Sequence, residues 1–118
     1  MSENIKTFSE SLFINKTNRI SNELKQVYEE HISDNNEVLI YLLISDYTRY
    51  IESIIYDLSK HKIVNEFLQN IDNALKTGNI KLSNEIYISF IENMPSSIQE
   101  VVFKNNYKYI MAELNTSA

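Results

Sequence analysis

The chain has 118 residues, 43% hydrophobic and 23% charged, with a net charge of −5 at pH 7, a composition that suits one soluble globular domain with a single core. Zero cysteines exclude a disulfide scaffold, a thiol nucleophile and any cysteine-ligated zinc or iron–sulfur site. One glycine and one proline exclude Gly-rich phosphate loops and a turn-dense β-sandwich.

The opening Met1-Ser2-Glu3-Asn4 lacks the basic and apolar regions of a signal peptide. The longest apolar run, Val38 to Ile44, is seven residues, too short to span a bilayer. A cytoplasmic protein with no membrane contact is expected. Apolar spacing then predicts helices in chain order. Over about 4–15, Ile5, Phe8, Leu12 and Phe13 form one face. Over about 18–33, Ile20, Leu24, Val27, Tyr28 and His31 repeat it, until Asp34-Asn35-Asn36 competes for the backbone hydrogen bonds. Residues 37–44 read equally as buried helix or strand; no second strand exists for pairing, so helix is expected.

A fourth helix is expected from a cap at Ser45 or Asp46 to about Lys60, burying Tyr47, Tyr50, Ile51, Ile54, Ile55 and Leu58. A fifth, about 62–77, buries Ile63, Phe67, Ile71, Ala74 and Leu75 and stops at Gly78 in the left-handed conformation. A sixth opens at a Ser83 cap with Glu85 in its first turn and ends at Pro95. A seventh opens with the capping-box spacing Ser97-Ile98-Gln99-Glu100 and carries Phe103, Tyr107, Ile110, Met111 and Leu114. The expected fold is all-α: one domain over 1–118, a bundle of six or seven short helices.

The charge is uneven. Residues 1–58 hold ten acids against five bases, whereas 59–118 hold six of each. Direct nucleic-acid binding needs basic surface to displace counterions, so the sign is wrong for it and suits a basic partner instead. Catalytic patterns are weak. Asp57 and His61 at i, i+4 could share a metal or a proton but suit an ordinary helix end far better, and His31 reads as a core or boundary histidine with one hydrogen bond. Glu23/Glu30 and Glu29/Glu30 lack the Glu-x-x-His units of a di-iron bundle. No nucleophile elbow or phosphate loop is present. A non-enzyme without cofactor or metal is expected. A helical wheel sets Tyr56 opposite the core stripe, beside Arg49 and Glu52, and Tyr and Arg are common interface anchors. The expected partner-binding residues are Glu23, Glu30, Asp34, Glu37, Asp46, Arg49, Glu52 and Tyr56.

Two stretches carry a family resemblance. Glu30-His31-Ile32-Ser33-Asp34-Asn35-Asn36-Glu37-Val38-Leu39 is followed by Ser45-Asp46-Tyr47-Thr48-Arg49-Tyr50. Asn84-Glu85-Ile86-Tyr87-Ile88-Ser89-Phe90-Ile91-Glu92-Asn93-Met94 comes later. Together they resemble small acidic all-helical bacterial proteins that serve as immunity partners of polymorphic and contact-dependent growth-inhibition toxins. Val38-Leu39 replaces that family's double Leu, and Tyr50 stands where Trp is common. The resemblance implies binding and neutralisation of a cognate toxin domain as a 1:1 heterodimer. A nuclease such as an RNase, whose basic active-site region an acidic helical protein would cover, fits the charge best. The alternative is a non-catalytic helical scaffold that self-associates.

Overall fold

The structure, a computed structural model, describes residues 9–117. Ile5 and Phe8 of the first expected helix lie outside the described residues. The remainder of that helix is α1, Glu10–Ile20, capped by Ser9 Oγ on the Leu12 N–H at 3.2 Å. Ser21 caps α2, Asn22–Asn35, in the same way at Leu24. Ile20 therefore closes α1 instead of opening the second helix. The polar break falls where expected: Asn36 takes φ 63°, a left-handed conformation that asparagine tolerates, and its N–H closes on the Ile32 carbonyl at 2.7 Å.

The third and fourth expected helices are one, α3, Ile40–Ile54. No cap forms at Ser45 or Asp46, since both sit mid-helix and Asp46 is engaged elsewhere. The helix reading of 37–44 holds from Ile40 onward. A short 3₁₀ turn, Leu58–Lys60, leads into α4, His61–Thr77. Gly78 follows with φ −73°, ordinary extended backbone rather than the left-handed cap. α5, Ile80–Ile86, starts four residues earlier than expected because Asn79, not Ser83, is its cap and accepts the Leu82 N–H at 2.7 Å. It widens into a π-helical turn over Tyr87–Ile91.

α6 is Ser96–Asn105, preceded by Pro95 with no side-chain cap, so Ser97 lies inside the helix and the expected capping box does not form; Gln99 Nε2 donates to the Met94 carbonyl. Asn106 at φ 59° breaks the long C-terminal helix, and α7 runs Lys108–Ser117. Asp72 on α4 accepts the Tyr109 and Ile110 N–H groups at 2.9 and 3.0 Å, capping α7 from across the fold. The described residues thus form seven α-helices with no β-strand, an all-α bundle. Among them no helix is long and apolar enough to cross a membrane.

The helices surround one core in which Phe67 of α4 stands edge-on to Tyr47 of α3 at 6.2 Å and to Phe90 at 6.1 Å. Tyr47 is fully buried and satisfies its hydroxyl on Asn18 Oδ1 at 2.7 Å; burial pushes its phenol well above the ordinary range. Several residues expected inside are outside, Leu12 on α1 among them. Leu58 is 78% exposed because α3 ends before it, and Phe103 is 47% exposed on the outer side of α6.

Candidate functional site

α2 and α3 pack side by side, joined by the bend at 36–39. Near that bend a cleft of about 240 Å³ opens between them, lined by Val27, Glu30, His31, Asp34, Asp46 and Arg49. Four of the eight sequence-predicted residues thus meet in one place. Helical spacing explains the α2 side, since Val27, Glu30, His31 and Asp34 follow i, i+3, i+4, i+7. Asp46 and Arg49 are i, i+3 on α3 and form an ion pair.

His31 forms the floor. Its residue is 2% exposed, and both ring nitrogens are in use. Nε2 accepts the Leu39 backbone N–H at 3.0 Å, so it carries no proton. The proton is then on Nδ1, which donates to Asp46 Oδ2 at 3.3 Å. Asn35 Nδ2 donates to the His31 carbonyl at 2.9 Å. A neutral imidazole therefore ties the end of α2, the bend and α3 together, a richer role than the single hydrogen bond expected of it. With that ring neutral, three carboxylates face one guanidinium, and the cleft is net negative.

The other four predicted residues lie outside the cleft. Glu37 is exposed on the bend and Glu52 is exposed on α3. Glu23, at the far end of α2, pairs with Lys60 at 3.6 Å, and its own backbone N–H, then the Lys60 ammonium, hold its carboxyl below the ordinary value. Tyr56 is exposed as expected, at 77%, but not for the expected reason: α3 stops at Ile54, and Tyr56 rides the following turn. There it lines a separate groove of about 290 Å³ with Leu58, His61 and the α6 residues Glu100, Val101 and Lys104.

Nearby Asp57 spends its Oδ1 on the Ser59 N–H and hydroxyl, at 3.0 and 2.7 Å, and these bonds lower its pKa. Asp57 thus serves as a turn cap. No group of three or more His, Cys, Asp or Glu is placed to hold a metal among the described residues.

No protein-family model, curated protein or solved structure matches this chain.

One surface feature was missed in the sequence. The run Val38 to Ile44 divides: Leu43 and Ile44 are buried, whereas Val38, Leu39, Tyr41 and Leu42 are each 40% exposed or more. These four apolar side chains stand on the bend and first turn of α3, next to the acidic cleft. A signal existed, because a helix buries only one stripe, and a run apolar all round must leave part of itself outside. The partnership of His31 with Asp46 and Leu39 had no local signal, being formed only when α2 folds back on α3.

Proposed function

We propose that this protein is an immunity protein, which binds a toxin domain through the α2/α3 face and neutralises it by covering a basic active-site region. The observation that carries the reading is the pairing of unlike surfaces on one pair of packed helices. The acidic cleft of Glu30, Asp34 and Asp46 adjoins the exposed apolar group of Val38, Leu39, Tyr41 and Leu42. Apolar contact supplies affinity, and charge supplies steering and selection of the partner. The resemblance of the segments around 30–50 and 84–94 to immunity proteins supplies the class of that partner. A nuclease is the toxin whose substrate site requires the matching positive charge.

Co-expression with the toxin encoded beside it should rescue cells, and the purified pair should form a 1:1 heterodimer. Its association rate should fall as salt rises, because exposed charges are screened within about 10 Å at 0.1 M. A pair that fails to form, with the protein instead assembling with itself through Tyr41 and Leu42, would replace this reading with the scaffold one.

A further inference from the structure

A second groove lies between α1 and α4, away from the acidic cleft, and is the larger at about 340 Å³. Lys16, Arg19 and Ile20 line it from α1, at i, i+3, i+4. Glu66, Gln69, Asn70 and Asn73 line it from α4, at i, i+3, i+4, i+7. Each set falls on one face of its helix, so the groove has two opposed rows, polar where packed helices ordinarily meet through aliphatic side chains.

Asn70 anchors it. Its residue is 7% exposed, and its Nδ2 donates to the Phe13 carbonyl at 3.3 Å and to Thr17 Oγ1 at 2.8 Å. Those two oxygens fix the amide orientation, leaving Oδ1 as the end that receives no hydrogen bond from a described residue. Gln69 Nε2 donates to Asn73 Oδ1 at 3.2 Å, which leaves the Asn73 NH₂ group without an acceptor among the described residues. Lys16 and Arg19 make no ion pair with a described residue, whereas Glu66 pairs with Lys62 at 3.9 Å. A wall of Lys16 and Arg19 therefore faces unused amide donors and acceptors, with Glu66 at the end of the opposite row paired to Lys62, in a chain whose net charge is −5.

These groups match a peptide backbone better than a nucleobase. Side-chain amides offer both a donor and an acceptor, as a peptide unit requires. No aromatic ring lines the groove for a base to stack on. From Glu66 to Asn73 the α4 row spans about 10 Å, the length of about three extended residues.

We propose that this groove binds an extended peptide segment of about three residues carrying a carboxylate. Gln69, Asn70 and Asn73 pair with its backbone while Lys16 and Arg19 hold the acid. This site is independent of the α2/α3 face and of whether that face takes a toxin.

The test is an amide NMR titration of the full chain with acetyl-Gly-Ala-Glu-Ala-Gly-amide. Parallel arms use the same peptide with Lys for Glu, inorganic phosphate, and adenosine monophosphate. Saturable shifts are expected at residues 16–20 and 66–73 and in the side-chain amides of Gln69, Asn70 and Asn73, with the Lys peptide binding markedly more weakly. Lys16→Glu with Arg19→Glu changes two exposed side chains and should keep the fold while weakening binding about tenfold or more, since two charge-assisted contacts are lost. Asn73→Ala, also exposed, should weaken binding without changing the preference for Glu over Lys. Equal binding of the two peptides, identical shifts from phosphate or the nucleotide, or no saturable shift at millimolar peptide would each overturn the proposal.

Discussion

Leu39 donates its backbone N–H to the ring of His31, eight residues earlier, at 3.0 Å. That bond sets the bend through which α2 returns as α3, and it holds Leu39 where its side chain is 40% exposed. Removing the ring leaves the part-buried Leu39 N–H unpaired and leaves the Asp46 carboxylate with Arg49 alone. His31→Ala should therefore destabilise the protein by about 2–4 kcal/mol in denaturant unfolding, from the cavity and the lost hydrogen bonds together. Hydrogen exchange should accelerate first at Leu39. Unchanged stability would mean that the bend is held by Asn36 and its αL cap alone.

Asp72 makes a comparable claim on α7. Its Oδ1 takes two N–H groups at the start of that helix from a position 8% exposed on α4. Asp72→Ala removes the one oxygen that accepts both N–H groups and a charge suited to a helix N-terminus, at a cost of about 1–2 kcal/mol. The loss should concentrate in the exchange protection of 108–115, with α1 to α4 nearly unaffected. Asp72→Asn, which keeps one acceptor oxygen, should recover part of it.

Stability should also depend on pH through the contact of α1 with α5. Lys81 bridges Glu10 and Glu85, with its Nζ 2.8 Å from Glu85 Oε2, and the Glu85 residue is only 2% exposed. Burial, reinforced by the neighbouring Glu10, raises the Glu85 carboxyl above the ordinary value. Hydrogen bonding from Glu85 and the Lys81 ammonium lower that of Glu10. A raised carboxyl stabilises the fold while protonated and loses that contribution as pH rises through its folded value. The lowered Glu10 contributes above the ordinary carboxylate value and loses it as pH falls through its own folded value. The contribution of the pair therefore peaks near the ordinary carboxylate range and declines on both sides. Glu85→Gln, which keeps a donor and cannot ionise, should be more stable than the parent at pH about 8, and the gap should close toward pH about 4.5. Denaturation measured across that range checks it, and no gain at the alkaline end would show Glu85 ionised and held by Lys81.

Tyr56 separates folding from binding. At 77% exposure, Tyr56→Ala should change stability by about 0.5 kcal/mol or less. If the toxin contact reaches the 55–60 turn, binding should weaken by about 1–3 kcal/mol. Charge reversal at Glu30 and Asp34, both exposed, should instead slow association while leaving dissociation nearly unchanged. An Asp34 reversal without effect on the association rate, beside a strong effect of Tyr56→Ala, would move the interface to the groove shared with α6.

Periodicity alone determined that the chain is helical and which stripes enter the core, because a 3.6-residue apolar repeat has one way to bury itself. Phe13, Leu24, Ile51, Phe67, Ile71 and Ile110 are all buried as their spacing requires. The break at Asn36 was likewise legible, being a local contest between side chain and backbone. Helix ends were less so. Asp46 has a capping side chain but spends it on His31 and Arg49, and α7 draws its cap from Asp72, 37 residues before Tyr109. The site followed the same division. Charge counting found the acidic segment, and helical spacing grouped Glu30 with Asp34. Only the packing of α2 on α3 placed Asp46 and Arg49 opposite them, exposed the apolar bend, and carried Tyr56 off the helix to the border of α6. Those arrangements depend on groups far apart in sequence meeting in space, and a one-dimensional pattern encodes only the neighbours of each residue along the chain.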